Sequence, residues 1–219
     1  SLNEAEDAAR GLDSLHGLIR VAMPVIFGTR EVVPRVANFL EMHPQLRLEM
    51  TISDARQDLI EDGADVAIRL GKLDDSAFGA RRLTRLQPLV VAAPGYLKRR
   101  GTPKSPADLA AHDCIFGPGG FGRTTWSFRK GDSVVSVNVT GRATTNSGPG
   151  VLASVIAGMG IAMVPSVAAK AEIEAKRLMR LLPAYALEPT EVHAVFPGGP
   201  KPSAKVRAFV DFLAADMAD

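Results

Sequence analysis

The chain has a single cysteine, Cys114, among 219 residues. No disulfide can therefore form within it, and no thiolate metal cluster is available. It lacks a dominant charge: 26 Lys and Arg against 24 Asp and Glu leave a net charge of +2. A nucleic-acid-binding module shows a concentrated basic face, and here no basic run extends beyond Lys98-Arg99-Arg100, so direct contact of this segment with DNA is not expected. No apolar run approaches the length that crosses a bilayer. The first residues, SLNEAEDAARGLDSLHG, are polar and acidic and carry no secretory pattern. The expectation is a soluble protein of a reducing, cytoplasmic compartment with no membrane partner. Catalytic signatures are missing too: there is no G-x-S-x-G elbow, no H-E-x-x-H and no P-loop. No enzyme, metal or cofactor is expected.

What is present is an alternation of strand and helix signals in a chain of ordinary composition, 46% hydrophobic and 23% charged. The stretch 144–165, TTNSGPGVLASVIAGMGIAMVP, organises the rest. A strand ends at Thr144-Thr145; Asn146 and Ser147 are suited to cap a helix, and Pro149 fits its first turn. Val151, Leu152, Val155, Ile156 and Met159 recur at helical spacing and predict one buried stripe. Gly158 and Gly160 stop the helix, and residues 161–164 form a short buried strand ended by Pro165. The helix start leaves backbone N–H groups that attract anions and polar ligand groups.

The remainder follows the same grammar. Leu2, Ala5, Ala8, Leu12 and Leu15 predict an amphipathic helix over 2–15, either the tail of a longer helix or an N-terminal extension. Residues 18–23 are a buried strand, and PVIFGTR turns into a second helix with Gly28 or Thr29 as cap and Glu31 in its first turn. Val32, Val33, Val36, Phe39 and Leu40 are its buried stripe, and His43-Pro44 ends it. Leu46, Leu48, Met50 and Ile52 alternate as a strand, a short helix over 55–62 stops at Gly63, and 66–70 is a third strand. This spacing implies a mostly parallel sheet. Further strands are expected at 80–86, 89–92, 114–116, 178–182 and 191–196. A hairpin is expected from 125–129 and 134–140 about Lys130-Gly131-Asp132. Residues 94–99 are a short helix, Ser105-Pro106-Ala107-Asp108 starts another, 198–202 is a turn, and 203–217 is a closing amphipathic helix.

Several motif matches carry no chemistry. Gly117, Gly119 and Gly122 fit G-x-G-x-x-G, but RTTWSFR follows as a strand, so the phosphate-facing helix is missing. Asn138-Val139-Thr140 matches a glycosylation acceptor inside a strand. His112 and Cys114 have no second ligand pair, and Asp74-Asp75 reads as a solvated turn. What remains is a binding site built from backbone, at helix starts that follow strands. It nominates Thr29 and Ser147, each either a cap alone or a ligand contact. It adds Arg69, as surface ion pair or ligand contact, then Gly71, Phe116 and Gly117, and Phe27, as core aromatic or pocket wall.

These residues sit in a pattern that resembles a known family. LIRVAMP from Leu18, FLEMHP ending at Pro44, DVAIRLG from Asp65, LVVAAPGYL from Leu89, PADL from Pro106 and GMGIAMVP from Gly158 resemble, in order and spacing, the effector-binding domain of LysR-type transcriptional regulators. ARRL from Ala80 and the segment 144–148 look most like its CrgA-like branch. The similarity covers essentially residues 17–213. It implies an α/β fold like the type 2 periplasmic binding proteins, with two α/β subdomains joined by two crossing strands. Residues 1–16 would be the end of a linker helix, 17–85 plus 197–219 one subdomain, 86–92 and 191–196 the hinge strands, and 93–190 the other subdomain.

The resemblance also implies a small-molecule effector, with a carboxylate or an aromatic acid as the expected class, held in the cleft between the subdomains. By position the pocket falls on Met23, Pro24, Val25, Phe27, Gly28, Thr29, Arg69, Gly71, Phe116, Gly117, Thr145, Asn146, Ser147 and Ile161. The effector would bridge the helix starts near Thr29 and Ser147. Self-association as a dimer or tetramer would use Arg30, Val33, Pro34, Ala37, Leu40 and Glu41 on one helix with Asp58 and Glu61 on the next. DNA would be bound only through a winged helix-turn-helix that family members place before this domain and residues 1–219 do not contain. A transporter's solute-binding protein and an enzyme on the same two-lobed scaffold are the alternatives.

Overall fold

The computed structural model describes residues 15–55, 63–73, 79–197 and 202–218. The expected helix over 2–15, the helix over 55–62 with Asp58 and Glu61, Asp74-Asp75 and most of the turn over 198–202 lie outside them. In chain order the elements are β1 (Gly17–Met23), α1 (Val25–Phe27), a π-helical turn (Gly28–Val32), α2 (Val33–Met42), β2 (Leu46–Ile52), β3 (Val66–Leu70), β4 (Gly79–Leu86) and β5 (Pro88–Ala92). They continue with α3 (Pro94–Arg100), a 3-10 helix (Pro106–Ala111), β6 (Asp113–Phe116), a 3-10 turn (Gly119–Gly122), β7 (Thr125–Lys130), β8 (Ser133–Asn138) and β9 (Thr140–Thr144). The last are α4 (Gly148–Ile156), β10 (Ile161–Pro165), α5 (Ser166–Glu174), β11 (Met179–Leu181), β12 (Ala186–Leu187), β13 (Thr190–Phe196) and α6 (Ala204–Asp216). The chain divides into two compact units, Ser1–Arg85 with Glu191–Asp219, and Leu86–Thr190.

The first unit is built on a sheet of order β2-β1-β3-β13-β4. β1 pairs in parallel with β2 and β3, and β13 runs antiparallel to β3. Ile19, Val21, Ala22 and Met23 are buried, as expected of a central strand covered on both faces. Phe39 of α2 and Phe209 of α6 meet edge-on at 5.3 Å between centroids, a favourable quadrupolar arrangement that locks the two helices.

Two expectations fail in this unit. The helix begins at Val25 rather than at Gly28 or Thr29, and Gly28 donates its N–H to the Pro24 carbonyl at 2.8 Å inside the first turn. The π-helical turn follows, just before Pro34. Proline has no N–H to give, and its ring presses on the carbonyl four residues back, so the helix register opens by one residue there. β2 is the second case. Leu46 is buried, but Leu48 is half-buried and Met50 and Ile52 are exposed, because β2 is an edge strand. On the helix, Val32, Val36 and Phe39 are buried, while Val33 and Leu40 are only half-buried.

The second unit holds a sheet of order β11-β5-β10-β6-β9 and a three-stranded sheet β12-β7-β8. β10 is parallel to β6 and antiparallel to β5, and β6 is parallel to β9. Thus β5 lies between β11 and β10, and β13 between β3 and β4, each an interior strand of its sheet. Trp126 and Phe128 of β7, Leu109, Cys114 and Ile161 fill the core.

The hairpin β7–β8 turns at Gly131-Asp132 with Gly131 at φ +59°, a conformation costly for other residues. Its second strand does not run on to Thr140. Val139 leaves the ladder, buries its side chain and donates its N–H to Thr124 O at 2.8 Å, and Thr140 opens β9 instead. In α4, Val151, Leu152 and Val155 are buried and Ile156 half-buried, but Met159 lies past the helix end and is exposed. Helix α5 had no periodic apolar signal; Ala168 and Ala169 bury it with side chains too small to read as a stripe.

Candidate functional site

In the first unit the parallel ladder decides what stands at the helix start. Met23 pairs with Ile52, and Ser53 extends the ladder by donating its N–H to the Met23 carbonyl at 3.0 Å. Asp54 is thereby carried to the end of β1, where its carboxylate accepts the Val25 N–H at 3.0 Å. The first helical N–H is thus met by an anionic side chain of the protein itself, favourable for both the orphan donor and the helix dipole. Thr29 is no cap. It lies inside the helical run, exposed, and its hydroxyl donates back to Val25 O at 2.7 Å.

Phe27 and Met23 are buried core residues, and Gly28 is tight against Met23: a Cβ there would come 2.5 Å from Met23 Cγ. Of the expected residues here, Pro24 and Val25 are half-buried and only Thr29 is exposed. At the end of β3, half-buried Arg69 stands opposite His193 in the β3–β13 register. Gly71 (φ +97°) donates its N–H to Glu191 O at 2.8 Å, and a Cβ there would meet nothing within 4 Å. The Glu191 carboxylate lies 3.3 Å from Arg82 Nη1, 3.4 Å from Arg85 Nη2 and 3.5 Å from His193 Nε2. Desolvation opposes its charge, but the hydrogen bonds and charges around it, those of Arg82 and Arg85 among them, outweigh it and hold the carboxyl below its ordinary value.

In the second unit two N–H groups at the start of α4 are met locally, by neutral hydroxyls. Thr145 donates its N–H to Phe116 O at 3.0 Å, which fastens the loop to the end of β6. The Thr145 hydroxyl oxygen accepts the Ser147 N–H at 3.2 Å, and Ser147 Oγ accepts the Gly150 N–H at 3.4 Å. Ser147 is the N-cap, as expected. Thr145 and Ser147 are half-buried and Asn146 exposed. Gly117 is required by packing, since a Cβ would lie 2.8 Å from Val151 Cγ2. The Phe116 ring lies against Gly141, where a Cβ would collide with it. Ile161 is fully buried between β5 and β6, so its side chain is core rather than a contact surface.

Asp54 is the residue the sequence did not nominate. Its only local signal is a Ser-Asp pair after a strand, and its partner is 29 residues away. Cys114 is buried and its thiol is pushed up to about 12 by desolvation, which makes it inert. His112 bonds Tyr96 at 3.0 Å, and no group of three or more potential metal ligands exists among the described residues. Gly119–Gly122 is a 3-10 turn leading into β7, not a phosphate-binding helix start. No described helix is long and apolar enough to cross a membrane.

Comparison with known proteins bears on these features together. Residues 12–218 match the family described as the LysR substrate binding domain. The chain is 33% identical over 210 residues to the HTH-type transcriptional regulator YhjC of Escherichia coli (strain K12), covering 93% of this chain and 69% of the relative. It is 30% identical over 200 residues to the HTH-type transcriptional activator TtdR of Escherichia coli (strain UTI89 / UPEC), covering 91% of this chain and 64% of that protein. The chain thus spans about two-thirds of the length of these relatives. Among solved structures, it superposes on the CrgA regulatory domain, a LysR-type regulator from Neisseria meningitidis, with a TM-score of 0.81 at 27% identity, covering 93% of this chain and 100% of that one. The fold is therefore the two-lobed, periplasmic-binding-protein-like α/β fold, and the relatives are regulators rather than transport proteins. The chain belongs to the LysR substrate-binding domain family, the effector-sensing part of LysR-type transcriptional regulators.

Proposed function

We propose that the domain binds a small organic effector at the start of α4, through Phe116, Gly117, Thr145, Asn146 and Ser147 of the second unit, and that Pro24, Val25, Thr29, Arg69 and Gly71 are the candidate effector contacts of the first unit. Met23, Phe27, Gly28 and Ile161 act as the packed support of these residues. The observation that carries the reading is the start of α4. Hydroxyl and amide side chains at 145–147 stand there on a helix dipole, beside Phe116, in a chain of an effector-sensing family. The two helix starts are not equivalent partners for an acid. The α1 start already holds the Asp54 carboxylate, so the anionic end of a carboxylate or aromatic acid is better received at Ser147 than at Val25. The domain acts by binding rather than by turnover.

The same reading includes self-association through the π-helical turn, at Arg30, and α2, at Val33, Pro34, Ala37, Leu40 and Glu41. In its support, the exposed large hydrophobics among the described residues of the first unit, Met42, Met50 and Ile52, all belong to α2 and β2. DNA contact belongs to another part of a complete cytoplasmic regulator. The test is a thermal-shift and calorimetric screen of small carboxylates and aromatic acids against the wild-type domain and Ser147→Arg. The variant fills the α4 start with a long side chain and is expected to lose ligand binding at least about tenfold, which is about 1.4 kcal/mol. Its circular dichroism stays that of the wild type. Undiminished affinity in Ser147→Arg rules the site out.

A further inference from the structure

Two segments that the effector-binding reading does not use, the helix carrying Tyr96 and the C-cap His112 of the 3-10 helix Pro106–Ala111, meet in the core of the second unit. Tyr96 is buried, and His112 is buried to 9% exposure. The Tyr96 hydroxyl lies 3.0 Å from His112 Nδ1 and also accepts the Asp113 N–H at 3.1 Å. Counting protons decides which way the chain of bonds runs. The Asp113 amide can only donate, so it takes a lone pair of the phenol oxygen. If Nδ1 also carried a proton, that oxygen would accept twice and its own hydrogen would need a third partner, and no other acceptor serves the Tyr96 hydroxyl among the described residues. If the phenol donates to a bare Nδ1, all three groups are satisfied.

We propose that His112 is held as the neutral imidazole with its proton on Nε2, and that it acts as an acid-sensitive latch on the start of β6. Asp113 opens the strand that ends at Phe116 and, through it, holds Thr145. Its other side is also fixed: a Cβ on Gly160 would strike the Asp113 carbonyl, so the two backbones are in close contact there. Protonating Nδ1 sets a donor against a donor. The phenol hydrogen must then rotate off Nδ1, where it meets no other acceptor among the described residues, and the Asp113 N–H shares or loses its oxygen.

The charged groups around the ring set the direction. Burial, then Arg100 of α3, hold the imidazole below its ordinary value of 6.5, while Asp108 of the 3-10 helix and Asp113 of β6 pull the other way. Both carboxylates are engaged elsewhere. Asp108 accepts the Lys104 and Ser105 N–H groups at 2.8 and 2.9 Å, and Asp113 accepts Arg142 of β9 at 3.3 Å, with Arg100 at 3.8 Å. Burial raises the phenol of Tyr96 above its ordinary 10.0, so it keeps the proton it donates. The folded-state value of His112 is depressed below the unfolded one. The latch is therefore complete above 6.5 and weakens as pH falls below it toward the folded-state value.

Imidazole nitrogen shifts and amide hydrogen exchange on the intact domain test this without any ligand. At about pH 7 the spectrum should show the Nε2–H tautomer. Between about pH 7 and pH 5.5 the protection factor of the Asp113 amide should fall by up to about tenfold per pH unit, the limit for one linked proton. His112→Gln should show no such dependence; if it does not fold, the wild-type titration alone decides. An Nδ1–H tautomer near neutrality, or Asp113 protection that is flat on acidification, overturns the proposal.

Discussion

The start of α1 and the start of α4 solve one physical problem in opposite ways. At Val25 the N–H is met by the Asp54 carboxylate, a charged group delivered from 29 residues away by the β1–β2 ladder. At Gly148 the loop closes on itself, with Thr145 and Ser147 accepting N–H groups two and three residues on. The first end has its dipole answered by a full negative charge. At the second, the Ser147 and Gly150 N–H groups are met by hydroxyls that carry no charge. Two helix ends that look alike as strand–turn–helix motifs therefore differ in what caps them, a charged carboxylate at one and neutral hydroxyls at the other, and the proposed placement of an anionic effector group at Ser147 rests on that difference.

The largest effect is expected at the long-range cap. Asp54→Ala removes a charged acceptor from a part-buried N–H and should cost about 1–2 kcal/mol. A domain of this size should then melt roughly 2–8 °C lower by calorimetry. Asp54→Asn retains an acceptor oxygen and loses the charge, so it should fall between the two. If Asp54→Ala melts like the wild type, the carboxylate is not holding the α1 start and the contrast between the two ends disappears. Next in size is Ser147→Ala. Its bond to the Gly150 N–H is long, 3.4 Å, so the loss belongs at the low end of capping values, about 0.5–1 kcal/mol by chemical denaturation. A cost equal to that of Asp54→Ala would mean that local hydroxyls and a distant charge cap equally well.

The same contrast explains how far the sequence could be read. Ser147 was legible as a cap because its partner lies three residues away and Pro149 marks the first turn. The capping residues Ser105 and Asp108 were legible for the same reason. Strands β1, β3, β5 and β10 were legible because interior strands are apolar on both faces. What stayed hidden depends on distance or on small side chains. Asp54 caps a helix that is close only once β2 has paired with β1. Helix α5 is buried through Ala168 and Ala169, which carry little hydrophobic signal. Met50 and Ile52 alternate like core residues, yet their strand lies at the sheet edge, a property of topology and not of pattern. The two helix caps divide the same way: Ser147 was visible in local chemistry, and the first-unit cap was placed on Thr29 where the structure has Asp54.

That residue, Thr29, supplies the smallest and sharpest prediction. As an N-cap it would hold an orphan N–H, and Thr29→Ala would destabilise by about 1 kcal/mol. In the structure it is an exposed residue within the helical run whose hydroxyl bonds back to Val25 O and, at 3.3 Å, to Ile26 O. Those carbonyls belong to a helix that opens into a π turn, so the hydroxyl competes with the backbone ladder more than it supports it. Alanine loses that bond and gains helix propensity, two terms of similar size and opposite sign. The net change should stay within about 0.5 kcal/mol, read as an unshifted denaturation midpoint at constant slope. A loss near 1 kcal/mol would return the helix start to Thr29 and make the two ends alike.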